Sequence, residues 1–186
     1  MNHVFISLLA VAILVGDCFA AEKTVVSTPQ VGDPAVEFLV RDCTGPASGK
    51  RLCYMCRYGT RPIVAVFTRQ IDAKTADLVK RIDNVVKEKR TARLAAFVVL
   101  IDADTATAES KLKALATKRK ISETPLTIFN DKTSKLNLDY GLADDAPLTV
   151  MLWRRAKFHS SHVWDQAQPS PELLRKFASD LAEILE

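Results

Sequence analysis

Short apolar runs alternate with amphipathic segments along most of the chain. Residues 63–67 are β-branched or aromatic and follow Pro62, which is typical of a buried strand. Over 72–89 the apolar residues recur at the spacing of one helix face, and Asp72 is placed as an N-cap. Residues 94–101 form a second apolar run. Strand, helix and strand in this order predict a parallel pair joined by a right-handed crossover.

Further elements are predicted on both sides of this unit. They are a strand over 35–42, a helix over 106–120, a strand over 124–129 and a hairpin with strands over 148–153 and 158–164. Ser170-Pro171-Glu172 then begins a last helix with a cap, a proline and an early acid. The order predicts an α/β fold with a mixed central sheet, helices on both faces, and a C-terminal β-hairpin plus helix.

The first twenty residues differ from the rest of the chain. An apolar run over 4–16 and the small-x-small sequence Cys18-Phe19-Ala20 predict a signal peptide over 1–20. The run is too short to span a bilayer, which takes about 20 residues. Residues 21–31 are predicted to form a flexible mature N-terminus and 32–186 a single domain. We therefore expect an exported protein, periplasmic or secreted; a lipid anchor at Cys18 or a retained membrane anchor is the alternative.

The charge of the chain is mildly basic. Its 26 lysines and arginines against 22 acids give +4, and loss of Asp17 with the leader gives the mature chain +5. The basic residues cluster at predicted helix ends and at one turn, where solvated cations are expected, so they do not indicate nucleic-acid binding. No glycine-rich phosphate loop, serine–histidine–aspartate set or paired carboxylates are visible. No cofactor is predicted.

Three cysteines remain after the leader: Cys43, Cys53 and Cys56. An odd number in an oxidising compartment leaves one thiol free, paired between chains, or bound to something else. The CxxC pair of Cys53 and Cys56 precedes the predicted central strand, in a loop that residues 57–62 close with no room for more than about one helical turn.

The CxxC pair has three interpretations. As a redox pair it would form a reducible disulfide, and the nearby Lys50, Arg51, Arg57 and Arg61 would stabilise a thiolate. As a structural disulfide, within the pair or from Cys43 to one of its members, it would hold the loop and stabilise the fold by roughly 2–3 kcal/mol. As a zinc site it would use all three thiolates and a fourth ligand.

Two histidines near the C-terminus are candidates for the fourth zinc ligand. His159 and His162 are three positions apart in a predicted strand, so their side chains are expected to point to opposite faces unless a bulge intervenes. We therefore interpret them as exposed polar residues of an edge hairpin, and no metal ligand is assigned.

Four stretches of the chain carry a family resemblance. They are Val31-Gly32-Asp33-Pro34-Ala35-Val36-Glu37-Phe38, the turn Cys43-Thr44-Gly45, the apolar run over 63–67, and Tyr140-Gly141-Leu142 ahead of Pro147-Leu148-Thr149-Val150. Together they resemble the peroxiredoxin-like branch of the thioredoxin superfamily. The Leu52-Cys53-Tyr54-Met55-Cys56-Arg57-Tyr58-Gly59 stretch is similar to one in small exported thioredoxin-like proteins of planctomycete-type bacteria. The resemblance covers about residues 31–185 and implies a thioredoxin-like fold.

The resemblance also locates the usual reactive corner of that fold. In active members a cysteine begins the helix after the central strand, where helix N–H groups lower its pKa. The matching residues here are 69–73, and none is a cysteine. Pro147 matches the proline, often cis, that lies beside the site in the family, and Pro125 is the second candidate. Without a cysteine on the helix, Pro147 is expected to have a structural role only.

Two functional hypotheses follow. The first is a thiol–disulfide oxidoreductase or peroxiredoxin-like enzyme of the cell envelope, with Cys53 attacking, Cys56 resolving, Cys43 as an alternate, and a protein thiol or disulfide as partner. The second is a non-catalytic binding or scaffold protein whose cysteines form a structural disulfide or a zinc site. In neither case do we expect nucleic-acid binding or stable membrane insertion after signal cleavage.

Overall fold

The computed structural model of the protein describes residues 29–101, 104–131, 136–143, 146–164 and 170–186. Seven strands form one sheet. They are β1 (Val40–Asp42), β2 (Arg51–Leu52), β3 (Ile63–Thr68), β4 (Ala95–Ile101), β5 (Leu126–Phe129), β6 (Leu148–Arg154) and β7 (Lys157–Trp164). Their order across the sheet is β2-β1-β5-β4-β3-β6-β7. The predicted signal peptide over 1–20 lies outside the described residues.

Helices cover both faces of this sheet. They are α1 (Tyr54–Tyr58), α2 (Ala73–Glu88), α3 (Thr105–Arg119), α4 (Leu136–Asp139) and α5 (Pro171–Leu185). Apolar side chains of α2, α3 and α5 pack on one face, and those of α1 and α4 pack on the other. The predicted mixed sheet with helices on both faces and a terminal hairpin plus helix is confirmed. No helix within the described ranges has the length and apolar character needed to cross a membrane.

Strand β3 is an internal strand of the sheet and contributes side chains to both core layers. It pairs parallel with β4 and antiparallel with β6, so the predicted crossover unit is present. Because successive strand residues point to opposite faces, Val64 and Val66 join the layer under α2, whereas Ala65 and Phe67 join the layer under α1. All six residues of β3 are buried, which explains why the first five, Ile63 to Phe67, are apolar.

The first strand is shorter than the sequence pattern predicts. Pro34 forms an isolated bridge with Lys157, and the amide of Ala35 donates to the carbonyl of Ala156, so residues 34–35 lie beside the turn of the β6–β7 hairpin. It then crosses one sheet face with Phe38 buried, and becomes a strand only at Val40. Of the predicted strand over 35–42, only the last part is therefore a strand, and the first part lies across the face of the sheet.

The segment that carries the CxxC pair is more regular than expected. The two residues of β2 pair antiparallel with β1, and Gly49 makes the turn between them with a φ of 84°. Cys53 then caps α1, which includes Cys56 and ends at Gly59. The pair therefore lies on a short helix. The expectation that the pair lies in a loop is corrected, because the helix begins at the motif itself, whereas its end at Tyr58 agrees with the expected lack of room for a longer helix after Cys56.

The C-terminal hairpin contains a bulge. β6 and β7 pair antiparallel with a register shift between Leu152 and Trp153, which leaves His159 without an opposite residue. His159 and His162 consequently both face α5, with Nε2 atoms 3.3 Å from a Glu183 oxygen and 3.0 Å from an Asp180 oxygen. The expectation that these histidines point to opposite faces is wrong because of the bulge. The expectation of exposure is wrong for His162, which is 1% exposed.

Candidate functional site

A disulfide joins Cys53 to Cys56 at the start of α1. The two Cα atoms are 5.3 Å apart, and the amide of Cys56 donates to Sγ of Cys53 at 3.0 Å. Cys53 is half-buried and Cys56 is exposed. Of the pairings that the sequence left open, the structure has the one within the motif, and solvent reaches the bridge from the Cys56 side.

Asp42 at the end of β1 holds the disulfide helix on the sheet. Its buried carboxylate accepts hydrogen bonds from the amides of Gly45 and Ala47 and, at 2.9 Å, from the hydroxyl of Tyr54. Burial and this hydrogen bond to Asp42 raise the pKa of Tyr54 far above its usual range, so the phenol stays protonated and donates. The Tyr54 ring stacks on Phe97 of β4, with ring centroids 5.3 Å apart.

Gly45 is required where the loop passes this cluster. A Cβ atom at Gly45 would overlap the Tyr54 hydroxyl and lie 2.8 Å from both carboxylate oxygens of Asp42. A second anchor lies at the end of α1, where the Tyr58 hydroxyl donates to the carbonyl of Ala96. Helix α1 is therefore fixed at both ends, and its exposed residues are Cys56 and Arg57.

The cations near the disulfide have different partners. Arg51 lies 3.6 Å from a carboxylate oxygen of Asp131. Arg61 donates to the carbonyls of Arg93 and Leu94, and its guanidinium carbon lies 5.1 Å from the centre of the Tyr58 ring. Arg57 is exposed, and among the described residues no carboxylate pairs with it. Arg57 therefore remains as a cation next to the exposed Cys56.

Cys43 is separated from the other two cysteines. It is buried in the core layer under α2, whereas Cys53 packs on the layer of the opposite face. Burial, followed by the charges of Glu109 and Asp42, raises the pKa of the Cys43 thiol to about 11. No group of three metal-binding side chains occurs among the described residues. The structure therefore does not bring together the three thiolates that a zinc site would use.

Residues 69–73 occupy the corner between β3 and α2 and include no cysteine. Pro147 lies beside this corner: its carbonyl accepts from the Thr68 hydroxyl at 2.9 Å and from the Arg69 amide at 3.4 Å. The peptide bonds preceding Pro125 and Pro147 are both trans. Pro147 therefore contacts the corner through its backbone, and the cysteine pair belongs to a different part of the sheet.

Comparison with known proteins identifies the architecture. No protein-family model matches the chain, and no curated protein matches it. A candidate thiol:disulfide interchange protein DsbE from Chlorobium tepidum superposes with a TM-score of 0.64 at 14% identity, covering 86% of this chain and all of the other. The reduced 2-Cys peroxiredoxin of Plasmodium vivax gives 0.60 at 14% identity, covering 82% of each chain. The chain has a thioredoxin-like fold.

A third structure agrees with this assignment. Thiol peroxidase from Chromobacterium violaceum superposes with a TM-score of 0.59 at 14% identity, covering 84% of this chain and 90% of the other. The thioredoxin-like fold expected from the resemblance is therefore confirmed. At these identities the similarity establishes the fold and leaves the chemistry of Cys53 and Cys56 to be argued from their own surroundings.

Sequence reasoning identified the cysteine pair and missed the residues that position it. Asp42, Gly45 and Tyr54 form the support of α1, and none of them was predicted as part of the site. One local signal was present, since an aspartate followed three positions later by glycine is typical of a side-chain-capped turn. The contact from Asp42 to Tyr54 bridges twelve positions, so spacing alone gave no indication of it.

Proposed function

We propose that this protein is an exported thiol–disulfide exchange protein whose reactive group is the Cys53–Cys56 disulfide. The observation that carries the proposal is a solvent-accessible CxxC bridge on a firmly anchored helix in a thioredoxin-like fold. Its partner would be a protein thiol or disulfide. Exchange needs only an accessible sulfur and a stabilised leaving thiolate, and no cofactor takes part.

The different exposures of Cys53 and Cys56 support a different role for each sulfur. A partner thiolate attacks Sγ of the exposed Cys56, a partner–Cys56 bond forms, and the Cys53–Cys56 bond breaks with Cys53 leaving as the thiolate. The Cys56 amide, 3.0 Å from Sγ of Cys53, stabilises that thiolate. A second partner thiolate then attacks the partner sulfur of the mixed disulfide. Cys56 leaves, the partner is oxidised by two electrons and the protein is reduced to the dithiol.

This order differs from the one expected from the sequence, which has Cys53 as the attacking thiolate and Cys56 as the resolving cysteine. The half-burial of Cys53 and the exposure of Cys56 favour Cys56 as the sulfur that meets the partner. Cys43, buried on the other face, is proposed to take no part.

Redox titration of the purified mature protein tests the proposal. We expect reversible cycling between dithiol and disulfide with glutathione buffers, and loss of cycling in both Cys53→Ser and Cys56→Ser. Cys43→Ser should cycle like the wild type. Trapping a mixed disulfide distinguishes the two sulfurs: the Cys53→Ser variant should accumulate an adduct with a partner disulfide faster than Cys56→Ser. Wild-type exchange by the Cys53→Ser protein would refute the proposal.

Export is the second part of the proposal and has its own test. Stable disulfides occur mainly in oxidising compartments, and the sequence over 1–20 has the features of a cleaved leader. Mass spectrometry of the protein expressed with its leader should give a mature chain that begins at Ala21. A lipid-modified Cys18 or an uncleaved chain would contradict this prediction.

A non-catalytic scaffold is the competing function, and one observation favours it. The corner that carries the reactive cysteine in active thioredoxins is occupied here by residues 69–73 without a cysteine. In that case the bridge would only stabilise α1. Mild reductant would then fail to open the bridge in the folded protein, whereas the exchange proposal requires it to open without unfolding.

A further inference from the structure

A basic cleft lies at the C-terminal end of α1, and its lining includes neither Cys53 nor Cys56. Its volume is about 580 Å³, within the range of sites that hold drug-sized ligands. It is bounded by the turn after β1, the last turn of α1 and the segments that lead into β4 and β5. Strands β4 and β5 begin at the cleft. The cleft therefore lies at the opposite end of the parallel strands from Pro147, which contacts the carboxyl end of β3.

Four arginines line this cleft, which we call the arginine cleft: Arg57, Arg61, Arg90 and Arg93. The lining includes one acid, Glu123, which pairs with Arg90 at 2.6 Å. The cleft therefore has an excess of three positive charges, in a chain whose whole formal charge is +4. Arg90 and Arg93 follow α2, where cations are expected because they complement the negative end of the helix dipole. Arg57 and Arg61 come from a different segment, so this explanation does not apply to them.

Two of the arginines are fixed by contacts inside the protein. Arg61 donates to the carbonyls of Arg93 and Leu94, and Arg90 pairs with Glu123. The side chains of Arg57 and Arg93 are exposed and have no hydrogen-bond or ion-pair partner among the described residues. Their guanidinium groups can therefore each offer a planar pair of donors, which matches the geometry of a carboxylate.

The lining of the cleft also includes apolar residues. They are Val86, Leu94, Ile121, Tyr58 and Pro125. A single small anion would use only the cations, whereas a basic cleft that is also lined by apolar residues can take the aliphatic stems and carboxylates of several acidic residues. The surface thus fits an extended acidic peptide segment.

The cleft is also close to the redox pair. Helix α1 has five residues and is therefore about 7 Å long, with Cys53 capping one end and Arg57 and Tyr58 in its last turn. An extended chain advances about 3.3 Å per residue, so one peptide strand could reach from the disulfide into the cleft within roughly two to four residues.

We propose that the arginine cleft docks an acidic segment of the partner protein, with Asp or Glu roughly two to four residues from the partner's reactive cysteine. The substrate class that follows is acidic thiol proteins, and this inference rests on the exchange function proposed above. Docking holds the partner cysteine next to Cys56 and raises its local concentration.

Binding is tested first, without any redox step. Fluorescence anisotropy with the wild-type protein would compare cysteine-free peptides of equal length, one rich in Glu and one rich in Lys. The Glu peptide should bind at least 10-fold more tightly and should weaken as salt rises, since exposed charges are screened. Arg57→Gln combined with Arg93→Gln should lose most of this binding. Equal binding of the two peptides would overturn the inference.

A charge-matched control separates the cleft from general basicity. Arg81 and Arg175 are exposed on α2 and α5 and do not line the cleft, so Arg81→Gln with Arg175→Gln removes the same charge elsewhere. This control should keep the affinity for the Glu peptide. If it loses as much affinity as the Arg57 and Arg93 pair, or if inorganic phosphate competes at concentrations equal to the peptide, the peptide-docking inference is wrong.

Exchange kinetics then distinguish a failure of the inference from a failure of the proposed function. Wild-type protein, first reduced to the Cys53–Cys56 dithiol so that it supplies the attacking thiolate, would be mixed with hydroxyethyl disulfide, which is neutral, and with Glu-flanked and Lys-flanked peptide disulfides. Exchange with all three at similar rates would refute the acidic substrate class and leave the exchange function intact. No exchange with any of them would refute the function. A rate at least 10-fold higher for the Glu-flanked peptide supports both.

Discussion

At the scale of single residues, Asp42 connects three parts of the candidate site. Its carboxylate is fully buried and accepts from two loop amides and from the Tyr54 hydroxyl. A buried carboxylate is stable in a protein only when such donors replace the water it has lost. The β1–β2 loop, the end of β1 and the disulfide helix are thus held by one charged group, and the position of the disulfide depends on it.

Tyr54→Phe tests this support. The change removes the hydroxyl donor and keeps the ring stacked on Phe97, so we expect a loss of about 1.5–3 kcal/mol, the range for a hydrogen bond to a charged group. Urea unfolding monitored by circular dichroism measures the loss. The matched control is Tyr58→Phe, whose hydroxyl donates to a neutral carbonyl and whose loss should be nearer 1 kcal/mol. A larger loss for Tyr58→Phe would contradict the assigned role of Asp42.

Cys43 should be chemically inert although, within the part of the chain that the structure describes, it is the free thiol. With a pKa raised to about 11, mainly by burial, roughly one molecule in a thousand carries the thiolate at pH 8. After reduction, iodoacetamide at pH 8 should label Cys53 and Cys56 and leave Cys43 unmodified, as read by peptide mass spectrometry. Labelling in urea should modify all three and serves as the control. Equal labelling of Cys43 in the folded protein would show that it is accessible.

At the scale of elements, a second buried carboxylate shapes the wall of the arginine cleft. Asp83 of α2 is 1% exposed, and its Oδ1 accepts from the amides of Ser122, Glu123 and Thr124. Its Oδ2 lies 3.0 Å from Nζ of Lys80. Helix α2 thereby holds the segment between α3 and β5, where Glu123 and neighbouring residues line the cleft.

Asp83→Ala should be strongly destabilising. Three backbone amides would lose their shared acceptor, and each buried unsatisfied group costs about 1–3 kcal/mol, so we expect a loss of at least 3 kcal/mol in urea unfolding. Asp83→Asn keeps one oxygen acceptor and should lose less. Asp77→Ala, on the same helix, removes an exposed ion pair with Arg119 and should cost less than about 1 kcal/mol. Similar losses for Asp77→Ala and Asp83→Ala would refute the assignment.

Elements were predictable from the sequence in proportion to their length. Helix α2 and strand β4 are long enough to show a helical stripe or a continuous apolar run, and their predicted ranges are close to the observed ones. Strand β2 has two residues and helix α1 has five, too few for either period to appear. The CxxC pair was recognised from its spacing, but the helix beneath it was not.

The arginine cleft could not be predicted for a different reason. Arg57 and Arg93 are far apart in the sequence and are both explained locally, one as part of a loop and the other as a cation near a helix end. They line one cleft only because the crossover through β3 and α2 returns the chain to the same sheet edge. A site whose residues are brought together by the topology in this way can be recognised only in the folded structure.

At the scale of the whole molecule, helix α5 closes the sheet face over β6 and β7 around one buried histidine. His162 is 1% exposed, with Nε2 3.0 Å from Asp180 and its ring against Phe177. Burial lowers the pKa of His162 despite the nearby carboxylate, and Lys176 and His159 add to the lowering. Burial also opposes the charge on Asp180, but its neighbours Lys176, Ser160 and His162 hold its pKa below the usual value.

The docking of α5 should therefore weaken in acid. A histidine whose pKa is lowered in the folded state binds more protons when the protein is unfolded. The free energy of unfolding therefore has its full value above the ordinary histidine pKa of about 6.5 and decreases as the pH drops below it. Because a single proton is bound, the free energy of unfolding can change by at most about 1.4 kcal/mol per pH unit. We expect the free energy of unfolding to decrease from pH 7 to pH 5, before Asp180 titrates.

Urea unfolding at several pH values measures this slope in wild type and in two variants. His162→Gln should lower stability at every pH and abolish most of the slope between pH 7 and pH 5, since the titrating group is gone. His159→Gln, which removes the more exposed histidine of the same strand, should keep the slope. If stability instead rose on acidification, the protonated pair with Asp180 would be the stable form, and α5 would be held by an ion pair in place of a neutral buried ring.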